Sequence, residues 1–290
     1  MSLAEHLAGG VTTVCRAWDV ERADGRRFGF TDHDRDLSFE GLVYRAGTGL
    51  SARAFAQATG LAVDNSEAVG ALSDAGIREA DVEAGRFDGA RLRAWLVNWA
   101  DPSQRALRFR GSFGEITRQG GAFAVELRGL SEALNQPQGR VFGAGCDAGL
   151  GDARCGVDLA AFSAEAVVRA ADGARVLDLE ALPQAKGWYE RGRLTALTGA
   201  AEGLSGMIRA DRGGDPRRVE LWEALGAEIR PGDRVRVEAG CDKRAETCRA
   251  KFANLVRFRG FPHIPGDDWQ TAYPRASGVN DGGSLNGGGA

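Results

Sequence analysis

The stretch TTVCRAWDVERADGRRFGF, Thr12 to Phe30, decides the fold. Its first half, Thr12 to Val20, is rich in β-branched and aromatic residues and predicts a strand. Asp24-Gly25 then separates it from a second strand-like segment around Phe28 and Phe30, and a DG pair between two such runs is a hairpin signal.

Outward from that hairpin the same grammar recurs. Leu92 to Val97 and Ala122 to Leu127 are strand-like runs, and turn chemistry returns at Asp172-Gly173 and Pro231-Gly232-Asp233. Helices are few and short: Ser2 to Leu7, where Ser2 and Glu5 make a capping box, a turn at Ser131 to Leu134, and Arg244 to Ala253. The chain is therefore expected to be mainly β. The polar, Pro-containing stretch NQPQG (Asn135 to Gly139) suggests a boundary, giving one β domain over 1–138 and a second over 139–270. Residues 271–290, Gly-rich with little to bury, read as a flexible or partner-ordered tail. No internal repeat is visible.

The chain has 290 residues and is 43% hydrophobic, enough for a substantial core and for two domains. A net charge of -3 gives no global reason to bind nucleic acid or an anionic membrane. No apolar run reaches the length of a membrane span, and the N-terminus lacks the features of a signal peptide, so synthesis in the cytoplasm is expected.

Five cysteines in such a chain argue for metal binding or catalysis over a disulfide scaffold. Cys146 and Cys155 are separated by eight residues, Cys241 and Cys248 by six, and 85 residues lie between the pairs. Two pairs make a four-thiolate set. By spacing alone its occupant stays open between zinc, an iron–sulfur cluster, two local disulfides and plain buried thiols. Gly145, Gly149, Gly151 and Gly156 would let the first loop fold tightly, and Arg154, Lys243, Arg244 and Arg249 would offset thiolate charge. Cys15, in an apolar strand, reads as an inert core thiol.

The segment GCDKRAETCRAKFANLVRFRGFPHIPG, Gly240 to Gly266, closely resembles the end of a family of tail proteins from siphophages and phage-like gene transfer agents. There a cysteine pair precedes an F-x-N-x-x-x-F-R-G-F-P-x-x-P-G run, here Phe252, Asn254, Phe258, Arg259, Gly260, Phe261, Pro262, Pro265 and Gly266. The segment ADGRRFGFTDHDRDLSFEGLVYRAG also resembles the family's opening hairpin. The resemblance implies a baseplate hub whose C-terminal β domain is similar to that of the lambda-type tail-tip protein, which holds an iron–sulfur cluster. By it, Cys146, Cys155, Cys241 and Cys248 become cluster ligands, with a 4Fe-4S cluster as the favoured occupant and zinc the alternative. It further implies a homotrimer at the particle's tail tip, between a distal tail protein and a large tip or fibre protein, meeting DNA only as it passes through the tail channel.

Other candidate sites carry structural readings. In Thr31-Asp32-His33-Asp34-Arg35-Asp36, carboxylates flank a histidine, but neighbouring strand residues face opposite ways, so a polar turn is expected. His263 follows Cys248 by fifteen residues, no orienting third group accompanies it, and packing beside the cysteine site is expected. The six tryptophans are assigned to cores and interfaces. No Walker A, Rossmann or nucleophile-elbow pattern appears. A non-catalytic hub is therefore expected, ahead of a cluster-based redox protein or a tail-tip cell-wall hydrolase.

Overall fold

The structure, a computed structural model, describes residues 2–46, 50–51, 65–70, 78–119, 122–130, 132 and 139–264. The turn at Ser131 to Leu134, most of NQPQG, Trp269, Pro265, Gly266 and the Gly-rich tail lie outside the described residues, apart from position 132 and Gly139.

Helix α1 (Leu3–Ala8) is closed by the expected box: the Ser2 N–H donates to Glu5 Oε2 (2.7 Å) and the Glu5 N–H to Ser2 Oγ (3.3 Å). The opening hairpin follows. Strand β1 (Val14–Glu21) pairs with β2 (Arg27–Thr31) from Ala17↔Thr31 to Glu21↔Arg27, and Asp24 Oδ1 accepts the Arg26 N–H across the turn. Around it assemble β3 (Leu37–Phe39), β4 (Leu42–Ala46), β5 (Leu50–Ser51), β6 (Asn65–Gly70), β7 (Arg91–Asn98), β8 (Arg105–Gln119) and β9 (Ala122–Gly129). They form one nine-stranded sheet in the order β3-β4-β2-β1-β7-β8-β9-β6-β5.

Side chains alternate across this sheet. Trp18, Val20, Phe30, Leu92, Phe113 and Leu127 pack on one side with Phe87, which lies just after α2 (Glu79–Glu83). Ala17, Leu37, Phe39, Tyr44 and Val97 form a second cluster. Buried Asp19 accepts from the Tyr44 hydroxyl (3.1 Å) and from Arg93 Nε (3.0 Å), so its charge is compensated.

The second β domain is a closed six-stranded barrel: β10 (Ser163–Asp172), β11 (Val176–Leu179), β12 (Arg193–Ala196), β13 (Ser205–Asp211), β14 (Arg217–Leu221) and β15 (Arg234–Glu238), ordered β10-β11-β14-β13-β12-β15. Leu177, Leu179, Leu194, Ile208, Val219, Leu221, Val235 and Val237 fill it. Closure leaves no strand edge to aggregate. Arg217 is also interior: it forms a two-bond pair with Asp211 (2.9 and 2.5 Å), donates to the carbonyls of Gln184 and Ala185, and stacks over Tyr189.

Among the described residues the two domains touch at Arg86 and Ala84. Arg86 donates to the carbonyl oxygens of Glu202 and Ala200, both at 2.8 Å. Beside it the Gly226 backbone lies so close to Ala84 that a side chain at 226 would stand 2.7 Å from its Cα.

Candidate metal centre

Barrel closure explains how cysteine pairs 85 residues apart come together. The first barrel strand and the last are neighbours, and Ser163 at the start of β10 pairs with Glu238 at the end of β15. The segment entering the barrel and the segment leaving it therefore emerge side by side, one carrying Cys146 and Cys155, the other Cys241 and Cys248. They are joined directly by the Cys146 N–H donating to the Lys243 carbonyl (2.9 Å).

Both cysteine segments are held by local structure. Asp152 ties the first loop by accepting N–H groups from Gly149 (2.7 Å), Arg154 (2.9 Å) and Cys155 (2.6 Å). Those donors hold its carboxyl below the ordinary range, the Cys155 N–H most of all. Gly151 and Gly156 take positive φ in the same loop, as tight folding requires. On the other side Cys248 and Phe252, one turn apart, are the buried residues of α3 (Ala245–Phe252), the helix expected over Arg244 to Ala253. Lys251 locks that helix to the barrel, donating to the carbonyls of Trp188 (2.5 Å) and Gly240 (2.9 Å) and stacking on the Trp188 ring.

The four thiols line one cavity with Ala148, Leu150, Val157, Phe252 and Phe258, and none is in a disulfide. Burial, and then the thiols of Cys241, Cys146 and Cys155, push Cys248 above the ordinary thiol range. Lys243, Arg244 and Arg257 stand at the same cavity. Of the four cations expected to offset thiolate charge, Arg154 is instead paired with Asp147, and Arg249 is not among the lining residues. Two sulfurs receive N–H groups: Cys155 Sγ from Asn254 Nδ2 (3.7 Å) and Cys146 Sγ from the Arg259 backbone (3.4 Å). No group of three or more His, Cys, Asp or Glu side chains among the described residues is arranged to hold a metal ion as it stands. As a donor set, four soft sulfurs in an apolar cavity with cations and N–H donors around them fit either zinc or an iron–sulfur cluster.

Asn254, Arg257 and Phe258 were missed as site residues by sequence reasoning. The signal was available, since Asn254 and Phe258 belong to the motif that follows Cys248, but a motif letter does not say which way its side chain turns.

The remaining candidates resolve structurally. Cys15 is buried in β1, its thiol donating to the Val97 carbonyl (3.6 Å), and burial raises its pKa. His33 sits in a polar turn, where its Nδ1 accepts the Arg35 N–H (3.0 Å) and its ring lies against Trp99. Asp32 and Asp36 are likewise used by the backbone, accepting from the N–H groups of Arg16 and Ala46. His263 does not pack beside the cysteines as expected: it is exposed, because the segment after Gly260 runs out over the surface. Trp18 is a core residue, whereas Trp99 and Trp222 are exposed, Trp222 stacking with Arg209. No helix among the described residues is long and apolar enough to cross a membrane.

A broad β-sheet joined to a closed barrel, with four free cysteines gathered where the chain enters and leaves that barrel, defines a mainly β protein of two domains. Residues 1–158 match the family model described as baseplate hub protein, N-terminal attachment domain, and the chain belongs to that family. Residues 187–268 match the model for phage conserved hypothetical protein BR0599. Among solved structures, a chain from the virion of a native gene transfer agent (GTA) particle is similar at 55% identity with a TM-score of 0.90, over 98% of this chain and 99% of that one. No curated protein matches.

Proposed function

We propose that this chain is the structural hub of a phage-like tail tip, acting through assembly and not through catalysis. The observation that carries the reading is near end-to-end likeness to a chain of a gene transfer agent virion, covering both domains and the cysteine region between and after them. In this reading the nine-stranded sheet docks on the distal tail ring, the barrel faces the large tip protein, and three copies close around the tail axis. The mature protein sits at the tail tip.

Cys146, Cys155, Cys241 and Cys248 would hold a 4Fe-4S cluster, whose role is to tie two segments that the barrel brings together but does not bond covalently. The residues themselves supply the rest: Lys243, Arg244 and Arg257 offset thiolate charge, apolar side chains exclude water, and Asp152 holds the first loop in shape. Ligation energy then becomes folding energy, as in small metal-stapled domains.

The test joins location to ligation. Particles made without the gene should lack a completed tail tip, and a tip reconstruction should show three copies; normal particles, or one or six copies, would refute the assembly reading. Anaerobically purified protein should be brown, with iron and sulfide in equal amounts. Serine at any one of the four cysteines should bleach it and impair assembly, while Cys15→Ser should do neither. Colourless protein with one zinc per chain would keep the staple and discard the cluster.

A further inference from the structure

The motif after Cys248 has a geometry that its letters do not reveal. Helix α3 ends at Ala253, which takes the left-handed conformation at φ 50°, and the Asn254 N–H returns to the Cys248 carbonyl (3.1 Å). That reversal aims the Asn254 side chain across the cavity at the opposite cysteine loop. Its Nδ2 donates to the Cys155 carbonyl (2.8 Å) and stands 3.7 Å from Cys155 Sγ, and a carboxamide nitrogen has one hydrogen for each. A short 3-10 turn, Leu255–Arg257, then carries the chain back, so that the Arg259 N–H reaches Cys146 Sγ at 3.4 Å. The Phe261 N–H donates to the Gly143 carbonyl (2.9 Å) and holds this return path against the loop.

We propose that Asn254 is a positioning residue for the cysteine site: with the Arg259 backbone it places N–H donors on the sulfurs of Cys155 and Cys146, making that half of the site the less electron-rich one. This rests on the four cysteines being ligands. Among the described residues no hydrogen bond reaches the sulfur of Cys241 or Cys248, so the asymmetry follows the chain: the pair before the barrel receives donors, the pair after it does not. Hydrogen bonds to ligand sulfur draw charge from the thiolate and raise the reduction potential of a bound cluster. They also make the sulfur a poorer target for protonation, which slows loss of metal.

The experiment uses the full chain, reconstituted anaerobically with iron and sulfide, as wild type and as Asn254→Asp and Asn254→Leu. Both variants keep the approximate volume and lose the donor. The expected result is a lower midpoint potential in an electron-resonance-monitored titration and several-fold faster iron loss in air for both variants. In the wild type, iron–thiolate stretching bands in resonance Raman spectra should shift on exchange into deuterium oxide, and part of that shift should vanish in the variants. The wild-type measurement stands even if a variant fails to fold. Unchanged potentials, or a wild type with no deuterium-sensitive band, would overturn the proposal. If the chain takes cobalt(II) but no cluster, the cluster reading fails separately, and the same proposal then requires a shifted sulfur-to-cobalt absorption band in both variants; an unshifted band overturns it. A chain that binds neither overturns both.

Discussion

Arg217 shows what a single residue can do inside a barrel. A guanidinium at 1% exposure is tolerable only because Asp211 takes two of its bonds and backbone carbonyls take others. In return it pins the segment 182–185 to the barrel wall. Arg217→Met should destabilise the chain by about 3–5 kcal/mol, because it strands the Asp211 carboxylate without its cation; urea denaturation against wild type measures this. Stacked beneath it, Tyr189 has its phenol pushed up to about 12, chiefly by burial, with Arg217 opposing and Asp211 adding. Burial and Asp19 likewise push the Tyr44 phenol far above its usual range. A folded-state pKa above the unfolded value of about 10 means stability that is complete below that pH and is lost as pH rises towards 12 and beyond. Denaturation midpoints should therefore hold up to about pH 10 and fall steeply above it; in a Tyr273→Phe background, which leaves Tyr44 and Tyr189 as the two tyrosines, phenolate absorbance should appear together with unfolding and not before, and phenolate formation in that still-folded variant would contradict the assignment. None of this was legible in the sequence. Arg217 lies in RRVEL beside Arg218, which is exposed and pairs with Asp178 at the surface, and only the inward register of β14 separates the two roles.

At the scale of elements, short-range signals were read correctly and long-range ones were not. The opening hairpin, the capped α1 and the strands at 92–97 and 122–127 carry local turn, cap or β-branched signatures, and each is present; α3 is present too, though no side chain caps it. Helix α2 was not read, since EADVE has neither a side-chain cap nor a buried residue of its own. Barrel closure escaped because the β10–β15 pairing joins residues more than 60 apart, and pairing at that distance leaves no mark in a local window. Yet that pairing is what brings the cysteine pairs together. The return segment carrying Arg259 is fixed by a close approach at Gly260, where a Cβ would stand 2.6 Å from the Ala144 carbonyl and the Gly145 backbone. Gly260→Ala should therefore lift this segment from the Cys146 loop and weaken binding of the proposed cluster by about 10-fold or more, as losses of outer contacts at metal sites do. Gly173→Ala, in the open β10–β11 turn, should cost about 1 kcal/mol and leave binding unchanged. Chelator competition on both variants separates a close-packed glycine from one that only turns the chain.

At the scale of the whole molecule, Arg86 and the Ala84–Gly226 approach link sheet to barrel among the described residues. On the proposed reading, in which one domain seats on a ring and the other meets a tip, the angle between them has to be fixed, and each contact here would do part of that. The two hydrogen bonds from Arg86 end on backbone carbonyls, Ala200 and Glu202, so they report the position of a barrel loop and not the identity of its side chains. Gly226 permits an approach that no larger residue would. Gly226→Val should force the domains apart by wedging a side chain against the Ala84 backbone, and Arg86→Ala should release the same junction without adding bulk. Because neither residue belongs to either principal core, both domains should keep their own folds, with unchanged far-ultraviolet circular dichroism and unchanged metal content. Small-angle scattering should instead show a longer, less uniform molecule, more so in the double variant, and the particles formed with it should be fewer or blunt-ended. Unfolding of either domain in Arg86→Ala would show that the junction supports the domains themselves. A scattering profile identical to wild type in the double variant would mean that the angle is set elsewhere.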